Sequence, residues 1–300
     1  GIDNGAAKGD VFLREEGSGA VGEIAARLSG GYMSGWTYPY ASDVPLTEAG
    51  LRLALGEDPR PLLEERAGRT SAERAFISIP GRVGGLEGLE AVREMDEVRE
   101  LFLRVSPGDA VAPPKNNVEK CGNIIVVGES REEATAAARR ALQALLVRLE
   151  PGVEATDRYL FDLRTESTWA CYPKLLKKTE RELAGVMAER PSIFRDSIRE
   201  LLREGRVGEG FDFRIPAESV LLEEHWPPYS SREAVRSLHE RGVLKKGQGS
   251  PGAADILLKR IIALGGIQGA VYIRDSLAVP PELAEETVEG WISILLGERS

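Results

Sequence analysis

Near the start of the chain, a Glu-Gly-Ser-Gly stretch at 16–19 separates GDVFLR (9–14) from a second run, AVGEIAARL (20–28), and both runs alternate apolar with charged or small residues. A period of two across a glycine-rich turn commits the segment to a β-hairpin, and the register of a hairpin decides which side chains meet. With 16–19 as the turn, Glu15 pairs with Ala20 and Asp10 lies opposite Ala25. Asp10, Phe12 and Arg14 then share a face with Val21, Glu23, Ala25 and Arg27, and Lys8 falls on the face of Asp10. Val11, Leu13, Ile24, Ala26 and Leu28 form the other face, which is expected to pack on a core. The first face holds two carboxylates in diagonal positions, roughly 7–8 Å apart, close enough to lean onto one hard cation. A solvated hairpin with scattered charges fits the same pattern.

The residues also carry a resemblance. EIAAR (23–27) followed by LSGG (28–31) resembles the Glu-x-Asn-x-Arg strand of ATP-grasp enzymes, in the variant of the carboxylase-type members where alanine replaces asparagine. AKGDV (7–11) is similar to the preceding strand, which supplies the first metal carboxylate. GLRLALG (50–56), IPGRV (79–83), VSPGD (105–109) and CGNIIVVGESREEA (121–134) continue the match in order, over roughly the first 150 residues. The chain is thus identified as similar to the ATP-grasp carboxylate-amine ligases.

The resemblance implies an α+β fold over 1–150, the C-terminal portion of an ATP-grasp unit with an antiparallel sheet and flanking helices. It makes Asp10 and Glu23 ligands of Mg²⁺ (or Mn²⁺), with ATP as co-substrate. Arg27 becomes the cation beside the transferred phosphoryl group or the substrate carboxylate, with Lys8 reaching the same pocket. Ser29, Gly30 and Gly31 become the loop whose N–H groups approach the phosphates. The implied chemistry passes the γ-phosphoryl of ATP to a substrate carboxylate, and an amine or similar nucleophile attacks the acyl phosphate. Positioning and charge neutralisation carry such a transfer, so no activated serine or cysteine is required. Asp10 stands where many members have glutamate and Ala25 where many have asparagine, which retains one ion and leaves a second open.

Lysines that grip the α- and β-phosphates and a pocket for adenine and ribose have no counterpart in the 300 residues. The expectation is that the missing N-terminal part of the same polypeptide supplies them, and that alone the chain holds half a site. Its partners would be a small-molecule carboxylate and an amine, with a homo-oligomer contact possible.

The composition, 42% hydrophobic and 29% charged, is that of a soluble globular chain, and a cytoplasmic enzyme is expected. Charge does not single out a polyanion partner: 18 basic residues oppose 24 acidic ones in 1–150, and 21 oppose 24 in 151–300. Cys121 and Cys171 form no disulfide framework, and Cys121 reads as a buried thiol. No uninterrupted apolar run reaches the length of a membrane span.

Local patterns predict a helix over 47–56 with Thr47 as cap, and strands over 74–79, 99–105 and 123–127. A capping box of Ser130 and Glu133 opens a helix to about Leu149. The break at 150–154 separates 1–150 from a mostly helical accessory domain, 151–300, with helices over 174–189, 192–204 and 256–264 and a short strand at 270–274. A further capping box at Ser230 and Glu233 opens a helix ended by Gly242. Residues 230–260 carry seven Lys or Arg against three acids, including Lys245 and Lys246, so a helix-turn-helix contact with nucleic acid is an alternative function. Overall acidity and the long linker at 247–252 favour a solvated helical pair. A non-catalytic or regulatory ATP-grasp-like protein is the other alternative. His225 and His239 have no cysteine partners at metal spacing, and Trp169, Trp226, Tyr229 and Trp291 read as packing residues. The segment 32–40 (YMSGWTYPY) is expected either to line the substrate pocket or to cover the hairpin as a lid.

Overall fold

The computed structural model describes residues 4–64, 68–116, 118–164, 170–189 and 253–298, together with 196 and 199. Trp169, Trp226, Tyr229, His225, His239, the segment predicted as a helix over 192–204 apart from 196 and 199, that over 230–242, Lys245, Lys246 and the linker 247–252 lie outside the described residues. The chain divides into two compact units. One comprises 1–74, 93–101 and 123–141, the other 75–92, 102–122 and 142–300.

The first unit opens with the hairpin, β1 (Lys8–Leu13) and β2 (Gly19–Ala25). A π-helical turn (Met33–Thr37) leads into α1 (Tyr38–Ser42) and α2 (Leu46–Ala54). The predicted helix over 47–56 is therefore present, but it begins on Pro45, with no side-chain cap from Thr47. Gly56, at φ +79°, ends it in the left-handed conformation that glycine adopts without cost.

The predicted strands are seen as β3 (Thr70–Phe76), β5 (Val98–Leu103) and β7 (Gly122–Gly128). They form one sheet in the order β3-β7-β5. The N–H of Arg104 meets the carbonyl of Cys121, and that of Val127 meets the carbonyl of Glu97, so β5 and β7 run antiparallel. The central strand is the most apolar, and residues 122–127 are buried throughout. After it, α4 (Arg131–Ala144) buries the stripe Ala134, Ala137, Ala138 and Ala141. Ser130 Oγ accepts the N–H of Glu133, and the Glu133 carboxylate accepts the N–H of Glu129 rather than that of Ser130. The capping box is thus present with its return bond displaced by one residue.

Here the structure corrects the helix predicted to run to Leu149. The helix stops at Ala144, and residues 146–149 form a strand, β8 (Leu146–Leu149). That strand pairs antiparallel with β4 (Gly81–Glu87), with Val83 opposite Leu149 and Glu87 opposite Leu146. The two-residue β6 (Ala110–Val111) completes a second sheet in the order β6-β4-β8. Between β4 and the short helix α3 (Leu89–Arg93) sits Gly88, at φ +81°, where an added Cβ would lie 1.7 Å from the carbonyl oxygen of Ala144. Only glycine fits that crossing.

The second unit continues into α5 (Glu154–Phe161), α6 (Pro173–Glu189), α7 (Ala253–Leu277) and α8 (Pro281–Leu295). The strand predicted at 270–274 is instead the second limb of α7, which bends by 120° between Ile256–Gly266 and Gln268–Leu277. Gly266 makes the bend at φ 54°, ψ −142°. Just past it, the buried Gln268 amide accepts the N–H of Ile79 (3.0 Å) and donates to Ser78 Oγ (2.6 Å) and the Val147 carbonyl (2.7 Å). Those polar contacts fix the limb as helix against β8, overriding the β-rich local sequence. Trp291 is core, as expected: it stacks on Phe161 at 4.6 Å, and its Nε1 donates to Asp157. The buried Arg260 guanidinium donates to the carbonyls of Leu160 and Asp162 at the end of α5, and burial pulls its pKa down to about 10. Among the described residues, no single helix is long and apolar enough to cross a membrane. The bent limbs of α7 together meet that criterion by length and composition.

Candidate functional site: the acidic face of the hairpin

Asp10 stands directly opposite Glu23 across the hairpin. The register differs from the diagonal one predicted, in which Asp10 faced Ala25. Lys8 now takes Ala25, and a bulge falls between Asp10 and Val11, after which Val11 pairs with Val21. The turn is tighter than predicted and shifted toward the first strand: the N–H of Arg14 meets the carbonyl of Ser18, and the N–H of Gly17 meets the carbonyl of Arg14. Gly22 is the unpaired residue, with space above it for the Phe12 ring, which an added Cβ would meet at 2.6 Å. A glycine inside a strand pattern was the signal for this bulge. Its effect is to move Val21 to the face of Val11, while leaving Asp10 and Glu23 side by side.

Directly opposite residues in an antiparallel pair bring their Cβ atoms to roughly 4.5–5.5 Å, closer than the diagonal spacing. Two carboxylates held so near one another repel unless a cation lies between or beside them. Lys8 supplies one: its Nζ sits 2.5 Å from Asp10 Oδ2. The carboxylate of Glu23 has no ion pair or side-chain hydrogen bond among the described residues, and it is exposed. The donor set fits a Mg²⁺ or Mn²⁺ ion, which takes one or two carboxylates and completes its octahedron with water and phosphate oxygens. Among the described residues no cluster of three His, Cys, Asp or Glu side chains offers an all-protein cage.

The structure does not bring Arg27 into this face. The strand ends at Ala25, the N–H of Arg27 turns back onto the carbonyl of Ala25, and its guanidinium donates to the Leu28 carbonyl at 3.0 Å. Ser29, Gly30 and Gly31 follow as a loop, with Gly31 at φ +66°. An added Cβ at Gly30 or Gly31 would meet open space, and the N–H groups of 29–31 donate no hydrogen bond among the described residues.

The second prediction overturned concerns the apolar face. Val11, Leu13 and Ile24 are 56%, 83% and 69% exposed, so this face covers no core among the described residues. Leu28 alone turns inward, with its Cδ1 3.5 Å from the space a Cβ on Gly50 would take.

Downstream, the π-turn leaves Met33, Trp36 and Tyr38 exposed and Ser34 buried. Tyr32 and Trp36 meet edge to face at 5.4 Å. Tyr40 donates to the Glu100 carboxylate at 2.5 Å, and burial followed by that bond pushes the phenol up to about 12. Cys121 is buried as expected, and burial raises its thiol to about 12, far from the range of a nucleophile.

Residues 75–150 match the family model of the L-amino acid ligase C-terminal domain 2. No curated protein matches the chain. Among solved structures, the chain is similar to an L-amino acid ligase from Bacillus licheniformis, at 25% identity and a TM-score of 0.44, over 50% of this chain and 37% of that one. A phosphoribosylglycinamide synthetase from Anaerococcus prevotii matches at 15% identity and 0.44, over 49% and 37%. An N5-carboxyaminoimidazole ribonucleotide synthetase from Thermotoga maritima matches at 24% and 0.36, over 49% and 38%. The chain therefore spans little more than a third of the length of these proteins. The family match at residues 75–150 covers about a quarter of the chain.

Proposed function

We propose that the chain is the C-terminal part of an ATP-dependent ligase that joins a small-molecule carboxylate to an amine. The observation carrying this reading is the match of residues 75–150 to an L-amino acid ligase domain, and L-amino acids are accordingly the first substrates to test on both sides of the bond. The hairpin supplies the chemistry expected of such an enzyme. Asp10 and Glu23 would hold the Mg²⁺ or Mn²⁺ of the nucleotide, supported by their directly opposed positions. When bound, the ion would neutralise phosphate charge and orient the γ-phosphoryl group.

The chain's own residues would do the rest. The open N–H groups of Ser29, Gly30 and Gly31 would meet anionic oxygens, and the left-handed Gly31 allows the backbone to turn toward them. Arg27, two residues beyond the strand and with its guanidinium on the Leu28 carbonyl, would swing to the transferred group or the substrate carboxylate. The γ-phosphoryl of ATP would pass to the carboxylate oxygen, ADP would leave, and the amine nitrogen would displace phosphate from the acyl carbon. The grip on adenine, ribose and the inner phosphates would come from the portion of the relatives' length that this chain does not span. The family match ends at residue 150, and every described element beyond it is a helix. Division into a 1–150 ATP-grasp portion and a 151–300 helical accessory part rests on that coincidence, and a cytoplasmic location on the dependence on ATP.

The test is ADP release by the full polypeptide carrying this chain, with Mg²⁺, ATP and pairs of L-amino acids. Amino-acid-dependent ADP and phosphate in equal amounts, with a coupled product, is the expected result. Nucleotide turnover that no carboxylate-amine pair stimulates would refute the ligase reading.

A further inference from the structure

We propose that Lys8 is a tethered counter-cation that holds Asp10, one carboxylate of the opposed pair, in the absence of metal and gives it up to the ion when it binds. This inference rests on the reading of Asp10 and Glu23 as a metal site. Three observations carry it. Lys8 and Asp10 are two residues apart on one strand, so their side chains leave the same face, and the ammonium lies 2.5 Å from Asp10 Oδ2. Glu23 is the residue directly across from Asp10, so the ammonium sits at the edge of the same acidic pair. The lysine side chain is the more buried partner, at 23% exposure against 53% for Asp10, so it lies down along the strand surface rather than extending into solvent.

A divalent ion bridging Asp10 and Glu23 would compete with that ammonium for the Asp10 carboxylate, because two cations within a few ångströms of one another repel. The displacement costs the ion pair, and the displaced charge then repels the ion from close range. Lys8 therefore weakens binding of metal alone. Without it, the two opposed carboxylates would meet uncompensated whenever the ion is absent. After exchange, the ammonium remains tethered on the same face as the ion, free to meet an anionic oxygen that arrives with it.

The test is a titration of Mn²⁺ alone, without nucleotide, followed by the electron paramagnetic resonance of the free ion, on the full polypeptide carrying this chain. Circular dichroism would verify that each variant is folded. Lys8→Gln should tighten Mn²⁺ roughly two- to fivefold, the range that an exposed ion pair supports, while Lys8→Arg, which keeps the charge, should bind as wild type. Added to Asp10→Asn, Lys8→Gln should give no gain. Raising ionic strength should narrow the difference between wild type and Lys8→Gln. If Mn²⁺ binds the wild type and is lost in Glu23→Gln, yet Lys8→Gln binds no more tightly, the counter-cation is refuted and the metal site stands. If no Mn²⁺ binds, or binding ignores Glu23→Gln, the metal site and the exchange fall together.

Discussion

Asp10 and Glu23 present their carboxylates from adjacent strands, and among the described residues Lys8 is the one cation paired with either. If they hold the ion, replacing either removes a direct ligand. Asp10→Asn and Glu23→Gln should each lower kcat/KM for ADP release by at least roughly tenfold, since even the loss of an outer-shell partner of a metal reaches that size. Steady-state kinetics at saturating Mg²⁺ would measure it. Cys121 makes a contrasting prediction: buried and with its thiol pushed up to about 12, it should be unreactive toward a neutral-pH thiol reagent until the protein unfolds. Tyr40 gives a titration. Its pKa is raised to about 12, first by burial and then by the bond to Glu100, against about 10 in the unfolded chain. The neutral phenol is the form the fold favours. Its contribution is complete below pH about 10 and is lost as pH rises through about 12. Ultraviolet titration of wild type against Tyr40→Phe should show one phenol ionising near pH 12 in the wild type only.

At the scale of elements, the strands and helices with a strong local pattern were legible, and those set by neighbours were not. Residues 123–127 read as a strand because four consecutive β-branched positions, 124–127, follow Gly122 and Asn123, and the alanine stripe of α4 read as a helix for the complementary reason. Residues 146–149 continue a helical sequence, yet β4 offers a ladder and Gly88 lets the chain cross beneath Ala144, so tertiary pairing prevails. Conversely, AVYIR at 270–274 has strand-like composition but is helical because Gln268 and Tyr272 are both anchored by hydrogen bonds. In the hairpin, the acidic pair was legible from alternation, while its register was not, because one bulged glycine shifts every pair beyond it. Two substitutions test these points. Gly88→Ala combines a left-handed φ with a backbone clash at 1.7 Å and should destabilise by roughly 2–4 kcal/mol. Gln268→Leu strands the Ile79 N–H and the Val147 carbonyl in the core and should cost about 2–4 kcal/mol. Urea denaturation would measure both.

Across the whole molecule, the boundary of sequence similarity at residue 150 is not a boundary of packing. Within the second unit, β8 depends on residues more than a hundred positions later, through the Gln268 amide and through Arg148, which pairs at 2.6 Å with a nearly buried Asp275. A chain truncated after Glu150 would lose those partners and expose Val147 and Leu149. It should therefore fail to reach a soluble cooperative fold, as judged by thermal melting, whereas the helical part reads from sequence alone as a detachable addition. What sequence displays is the acidic pair of the hairpin; the long-range network that ties β8 to α7 has no local signature.

The most direct measurement is anomalous diffraction from crystals of the polypeptide grown with Mn²⁺. A peak within coordination distance of both the Asp10 and Glu23 carboxylates, with Lys8 Nζ moved off Asp10, is the result predicted. A Mn²⁺ site that involves neither carboxylate, or a hairpin in which the two point to opposite faces, would contradict it.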